Sequence, residues 1–305
     1  MYIKYIIIGI GRCWFLSKIG IIPNLSKDSN LSLTEKITNW LLDNKQDVLL
    51  NTGIALRIGK PDLGFNNEDI FINSDFIIVL GGDGTLLNIA RQSAYYNVPL
   101  FGINLGHLGF LTEVEAEDMF PAFEKLIAGE YEIEKRMMLE ATVETDNIQM
   151  EKSIALNDIG ITKGPFSRII RMGIYINDDF VDLYSADGVV VSSPTGSTAY
   201  SLSAGGPIVS PDVKVMIITP ICPHILHSRS IVVSHEDIVK IEVCQNNTEV
   251  MLTVDGQQGY KLKAGDIVTI RQAQCYTSLV KLKDRSFYQV LRKKISERWE
   301  SNLKL

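Results

Sequence analysis

Up to about residue 138 this sequence alternates short apolar runs with amphipathic segments of helical period, and beyond it the apolar repeat shortens from 3.6 residues to two. That change of period constrains the fold more than any single motif. In the first part, residues 19–22 predict a strand stopped by Pro23. Ser32 and Glu35 form a capping-box pattern around Leu33, Ile37, Trp40 and Leu41, which share one helical face. Residues 75–80 and 98–103 predict buried strands. Residues 85–96 and 117–128 predict helices, the second closed by Gly129. Strand and helix in turn predict a parallel sheet covered on both faces.

In the second part, Ile170, Met172, Ile174 and Ile176 alternate with Arg171, Gly173 and Tyr175 before a turn at Asn177, Asp178 and Asp179, which predicts a hairpin. Further runs at 189–191, 213–218, 231–233, 238–243, 250–254 and 267–270 predict more strands, with one short helix near 198–204. The expected fold is an α/β N-terminal domain with a parallel sheet, residues 1–138, and a mostly β, sandwich-like C-terminal domain, residues 139–283. Residues 287–300 predict a helix with a solvated basic face.

A chain of 305 residues, 46% of them hydrophobic, is long enough to bury two cores. Its formal charge of −6 gives no field that would draw it to nucleic acid or an anionic membrane, so a small-molecule partner is expected. Cys13, Cys222, Cys244 and Cys275 stand far apart with no CxxC pair, which argues against a zinc site and fits a reducing, cytoplasmic setting. The apolar run at 5–10 is too short for a signal peptide or a membrane span. Gly9 and Gly11 begin a dinucleotide fingerprint, but Trp14 occupies its third glycine position. Residues 1–17 are expected to be dispensable, so that a chain starting at Lys18 keeps its activity.

The sharpest motif is Gly81-Gly82-Asp83-Gly84-Thr85, between an apolar strand and a helix. Glycines let backbone amides approach an anion, and a helix N-terminus adds positive partial charge, so the loop suits a phosphate. The same pentapeptide also serves as an ordinary strand-to-helix turn with Asp83 as N-cap. No GxxxxGK[ST] exists, so charge neutralisation falls to metal and amides, and Asp83 is the candidate base. A second glycine cluster, Gly102-Ile103-Asn104-Leu105-Gly106-His107-Leu108-Gly109-Phe110, follows a strand end; His107 reads as a hydrogen-bonded loop histidine. The third motif is Asp187-Gly188 followed by the hydroxyl-rich run from Ser192 to Pro207, in which Tyr200 offers a ring for stacking. No GxSxG supports a serine hydrolase.

Together with Leu156-Asn157-Asp158, Pro223-His224, Ser228-Arg229 and Val254-Asp255-Gly256-Gln257, these motifs resemble the bacterial NAD kinases in order and spacing, from about residue 19 onward. The resemblance implies transfer of the γ-phosphoryl group of ATP to the adenosine 2′-hydroxyl of NAD. It implies Asp83 as catalytic aspartate and Gly81, Gly82, Gly84 and Thr85 on phosphate. For NAD it implies Asp83, Gly84, Asn157, Asp158, Asp187, Thr198, Ala199, Tyr200, Ser201, Leu202 and Ser203, with Arg168 and Gln257 as further contacts. It also implies Mg2+ or Mn2+ carried with ATP, a final segment, 284–305, returning to the α/β domain, and a homodimer or homotetramer whose subunits complete the sites. Ser185 departs from the family's frequent arginine, which puts one ionic contact in doubt. A lipid kinase would share only Gly-Gly-Asp-Gly-Thr and would want a membrane-facing surface. A non-catalytic NAD sensor would gain little from Asp83.

Overall fold

The computed structural model of the chain describes residues 17–106, 109–145, 148–149, 152–165, 167–224, 228–244, 249–282 and 286–303. These residues divide into two compact units. One consists of 17–86, 98–134 and everything from 279 on; the other consists of 87–97 and 135–278.

The first unit is built on parallel strands in the order Gly64–Phe65, Asp47–Asn51, Lys18–Pro23, Phe76–Gly81 and Leu100–Asn104. Every residue of the last two strands is buried, as expected where helices cover both faces of a parallel sheet. Gly81 and Asn104 are register partners at the C-terminal ends of these strands, so the two glycine-rich segments leave the sheet side by side. Open α/β sheets bind ligands at such ends. Helix Ser32–Asp43 buries Ile37 and Leu41, and Trp40 meets Phe120 and Phe123 at centroid distances of 5.7 and 5.5 Å.

Several local expectations change. Pro23 is the last residue of its strand rather than a stop before it. The Ser32–Glu35 capping box does not form; the buried carboxylate of Asp28 instead accepts from the amides of Leu33 (3.2 Å) and Thr34 (2.9 Å). The helix expected at 85–96 runs Asp83–Ser93, and the one expected at 117–128 is a 3-10 turn followed by helix Met119–Ile127. Strand Asp47–Asn51 and helices Thr52–Arg57 and Asn67–Asn73 are too short to show a period in sequence. Their asparagine caps, Asn51 to the amide of Gly53 and Asn66 to that of Asp69, were the readable signal.

The second unit is antiparallel. One sheet orders Ile231–Ser234, Val215–Ile221, Gly188–Ser192, Asp158–Lys163, Val250–Val254 and Gln258–Leu262. The other contains Asp179–Ala186, Ile170–Ile176, Val239–Val243 and most of Ile267–Lys281, with Glu132–Thr145 beside the last. Alternate residues fill the core, among them Ile159 and Ile161, Ile170, Met172 and Ile174, and Val250, Leu252 and Val254. Each such side chain contributes roughly 1.5–3 kcal/mol by leaving water. The hairpin at Asn177 and Asp178 turns through two positive φ values, 50° and 72°, which asparagine and aspartate tolerate. The fold is thus an N-terminal α/β unit with a parallel sheet and a C-terminal antiparallel β-sandwich.

Leu279 returns to the first unit as the parallel partner of Leu100. There Glu113 pairs with Lys281 and accepts from the amide of Leu282 at 2.8 Å, and Phe287, at the start of helix Phe287–Leu303, lies 6.1 Å from the Phe110 ring. No helix among the described residues is long and apolar enough to cross a membrane.

Residues 1–16 lie outside the described part, and Ser17 begins it with two hydrogen bonds, one to the residue before strand Asp47–Asn51 and one to its first residue. Its amide donates to Gln46 Oε1 (2.9 Å) and its carbonyl accepts from the Asp47 amide (3.0 Å), which moves the expected cut from Lys18 to Ser17. A chain starting at Ser17 is expected to keep its melting temperature within about 3 °C of full length. One starting at Ile21, stripped of the buried Ile19, should lose at least about 6 °C. Thermal unfolding followed by circular dichroism checks both; a large loss in the first would place residues 1–16 in the core.

Candidate functional site

Strand Phe76–Gly81 delivers Gly81 and Gly82 to the start of helix Asp83–Ser93, whose first turn closes on the Gly82 carbonyl through the amides of Thr85 (3.0 Å) and Leu86 (3.1 Å). The Asp83 side chain does not cap its own helix. Its Oδ2 accepts from the Phe110 amide (2.8 Å), and its Oδ1 accepts from the amides of Leu111 and Thr112 (both 3.2 Å) and the Thr112 hydroxyl (3.3 Å). Three consecutive amides, from the last residue of the second glycine cluster and the two after it, therefore converge on one carboxylate, and Oδ2, with one donor among the described residues, keeps a lone pair open. Gly109 is required by this approach: a Cβ there would stand 1.9 Å from Asp83 Oδ1. Thr85 Oγ1 is held by Asn24 Nδ2 at 2.8 Å.

A cation that motif reading missed joins these loops. After strand Lys18–Pro23 the chain is pinned by the Asn24 amide on the Leu80 carbonyl (2.7 Å) and by the buried Asp28 at the next helix. Between these pins the exposed Lys27 brings Nζ to 3.5 Å from where a Cβ on Gly82 would stand and 3.6 Å from that of Gly106. An ammonium facing two glycine turns is a point cation of the kind that can offset the charge of an anion. No sequence signal marks Lys27, because the sheet, and not a local pattern, carries it to Gly82.

In the second unit, Asp158 opens strand Asp158–Lys163 and is 4% exposed. Its carboxylate has no hydrogen-bond partner among the described residues, and burial, reinforced by the charge of Asp255, pushes its pKa up to about 7. Its cross-strand partner Ser192 is also buried, and its hydroxyl has no hydrogen-bond partner among the described residues. Buried polar groups are ordinarily hydrogen-bonded, and these two, without a partner among the described residues, stand side by side on one face of the sheet.

The hydroxyl-rich run is used largely by the protein itself. Ser193 Oγ donates to the Leu156 carbonyl (2.6 Å), Ser197 Oγ to that of Val209 (3.1 Å), and Thr198 Oγ1 to that of Thr195 (3.3 Å), while Ser201 and Thr219 share a hydrogen bond (3.2 Å). Tyr200 and Ser203 remain exposed, with Ala199 and Leu202 half-buried between and beside them. Partial burial raises the Tyr200 pKa, and Cys222, Asp158 and Asp187 add to it, so the phenol lies in the field of both carboxylates. Asp187 pairs with Lys163 at 2.8 Å, which supplies a cation in the neighbourhood where Ser185 supplies none. Arg168 is exposed on the loop before strand Ile170–Ile176, and the Gln257 side-chain oxygen accepts from Arg91 Nη2 at 2.6 Å. His107, Leu108 and Phe166 lie outside the described residues. Among the described residues no group of three His, Cys, Asp or Glu side chains converges to hold a metal.

Residues 19–131 match the family model described as ATP-NAD kinase N-terminal domain, and residues 156–282 match that described as ATP-NAD kinase C-terminal domain. The chain is 53% identical over 283 residues to the NAD kinase of Caldanaerobacter subterraneus subsp. tengcongensis, covering 93% of this chain and 100% of that protein. It is 48% identical over 285 residues to the NAD kinase of Moorella thermoacetica, covering 92% and 90%. Two solved structures share the fold: yeast NADH kinase complexed with NADH, with a TM-score of 0.81, 27% identity and coverage of 91% and 86%, and an NAD kinase from Archaeoglobus fulgidus in complex with ATP, with 0.72, 25%, 92% and 98%. With both of its units matched, the chain belongs to the NAD kinase family.

Proposed function

We propose that the chain transfers the γ-phosphoryl group of Mg·ATP to the 2′-hydroxyl of the adenosine ribose of NAD, giving NADP and ADP. The observation that carries this reading is the Asp83 carboxylate, fixed by three successive amides where two glycine-rich segments meet, with the Lys27 ammonium against both. In the transfer the 2′-oxygen forms a bond to the γ-phosphorus, the bond to the β,γ-bridging oxygen breaks, and the hydroxyl proton passes to Asp83 Oδ2. Lys27 and the amides of Gly82 and Gly84 offset the charge of the donor, and Gly81 and Thr85 shape that loop. The divalent cation, Mg2+ or Mn2+, enters as part of the nucleotide.

NAD recognition falls to Asn157, Asp158, Arg168, Asp187, Thr198, Ala199, Tyr200, Leu202 and Ser203, with the buried Ser201 holding their turn against Thr219 and Ser192 as a contact that the motifs do not suggest. The two buried orphans, Asp158 and Ser192, suit the hydroxyl and amide donors of a dinucleotide. The same reading takes the enzyme as a cytoplasmic homodimer or homotetramer.

Purified protein with Mg·ATP and NAD is expected to form NADP, and the NAD analogue lacking the adenosine 2′-hydroxyl should bind without accepting phosphate. Phosphorylation of that analogue would show that another oxygen is the nucleophile.

Two variants separate base from cation. Asp83→Asn sets an NH2 group against the Phe110 amide, so it should lose about 1–3 kcal/mol of stability as well as at least about a thousandfold in kcat, with the NAD KM within roughly tenfold. Lys27, exposed and without an ionic partner among the described residues, can be changed to Met; Lys27→Met should leave the melting temperature and the NAD KM unchanged and raise the ATP KM about tenfold. Near-normal turnover in the first removes Asp83 as base; an unchanged ATP KM in the second removes Lys27 from the donor site.

Asp158 also makes a pH prediction. Its folded pKa of about 7 stands above the ordinary 3.8, so the folded chain holds a proton that the unfolded chain has released. Stability should therefore fall as pH rises through that interval, by at most about 1.4 kcal/mol per pH unit. Asp158→Asn should flatten this slope, and by pH 8 it should be at least as stable as wild type. NAD should bind the variant more weakly. Melting temperatures at pH 5 to 8 check the first point, and an undiminished slope would mean that Asp158 is not the group responsible.

A further inference from the structure

Asp255 belongs to the same motif as Gln257 and makes more of the structure than the glutamine does. It follows strand Val250–Val254 in a left-handed backbone conformation, φ 50°, continued by Gly256 at 63°. Its side chain is 0% exposed and receives four donors. Oδ1 accepts from the amides of Asn157 (2.7 Å) and Asp158 (3.1 Å), and Oδ2 from the Leu156 amide (3.1 Å) and Arg91 Nη1 (2.8 Å). Arg91, 7% exposed, uses Nη2 on Gln257 Oε1 (2.6 Å) and Asn88 Oδ1 (3.3 Å).

The neighbouring strands do not need this carboxylate for their register. Asp158–Lys163 and Val250–Val254 pair from Ile159↔Val254 to Lys163↔Val250, and the Asp255 amide donates separately to the Asp158 carbonyl (2.9 Å). What the carboxylate fixes is the turn at 156–158. The opposite edge of that turn is held by Ser193, through its amide on the Asn157 carbonyl (2.8 Å) and its hydroxyl on that of Leu156, and by Gly196, where a Cβ would stand 2.1 Å from the Asn157 carbonyl oxygen. The turn is clamped on both edges, which fixes where the half-buried Asn157 side chain and the buried Asp158 side chain stand.

We propose that Asp255, oriented by Arg91, is the positioning residue that aims Asn157 and Asp158 at the dinucleotide and thereby sets its affinity. The proposal rests on the NAD reading above. Arg91 neutralises a buried carboxylate whose three amide bonds would otherwise leave it charged and without an ionic partner. It also ties Gln257 into the same cluster, so Gln257 acts on the turn through Arg91.

The test uses the full chain and follows both KM values. Asp255→Asn replaces Oδ2 by an NH2 group that opposes the Leu156 amide and Arg91, and is expected to raise the NAD KM about tenfold or more while the ATP KM stays within about threefold. A residue that only supported the fold would lower the active fraction, reducing kcat with both KM values unchanged, and that result overturns the proposal. Should Asp255→Asn fail to fold, Arg91→Lys keeps the charge but loses the forked geometry. It should raise the NAD KM roughly threefold to tenfold; an unchanged value overturns the proposal. If wild type forms no NADP, the functional reading fails, and calorimetric titration of NAD into wild type and the two variants still decides: weaker binding by the variants supports the proposal, and equal binding contradicts it.

Discussion

Two aspartates, each followed by glycine, hold the functional loops of this protein in the same way. Asp83 gathers the amides of residues 110, 111 and 112, and Asp255 gathers those of 156, 157 and 158. A carboxylate is the side chain best suited to this, because it accepts several hydrogen bonds and strengthens each by its charge. Three successive N–H groups that no strand or helix uses would otherwise require water or stay unpaired at considerable cost. In both cases the segment so gathered is one the functional reading needs: the second glycine turn in the first unit, the Asn157–Asp158 pair in the second.

The two devices differ in what surrounds them, and the difference matches the roles assigned. Asp83 keeps an open lone pair on Oδ2 and lies in the unit where Lys27 supplies a cation to the glycine turns, which suits a group that takes a proton beside a phosphate chain. Asp255 is closed off on all sides by three amides and Arg91, which suits a group that never meets substrate. Asp158 stands between these extremes: buried, without a hydrogen-bond partner among the described residues, and held by burial and the charge of Asp255 with a pKa of about 7.

Periodicity made the fold legible. The alternation at 170–176 and the runs from 189 onward became strands because a period of two suits only a half-buried sheet face, and the buried runs at 76–81 and 100–104 became central parallel strands. Caps were less legible: Ser32 and Glu35 carry a capping pattern, but Asp28, a few residues earlier, has the reach and wins. The glycine motifs mark the two segments that meet at Asp83, yet the sequence does not say that Asp83 spends its side chain on amides 27 to 29 residues away, or that Arg91 finds Asp255 across 164 residues. The composition of the hydroxyl-rich run does not separate hydroxyls that face outward from those that build the turn; Ser193, Ser197 and Ser201 turn inward, because small buried hydroxyls find backbone carbonyls and one another first. Lys27 had no local signature at all.

The dependence of both loops on a single carboxylate each can be measured directly by amide hydrogen exchange at residue resolution on the wild type and on Asp83→Asn and Asp255→Asn. The account predicts that amides 110–112 and 156–158 exchange as slowly as neighbouring strand amides in the wild type, that Asp83→Asn speeds exchange at 110–112 alone, and that Asp255→Asn does so at 156–158 alone. Rapid exchange at either triad in the wild type, or exchange left unchanged by the matching variant, would contradict it.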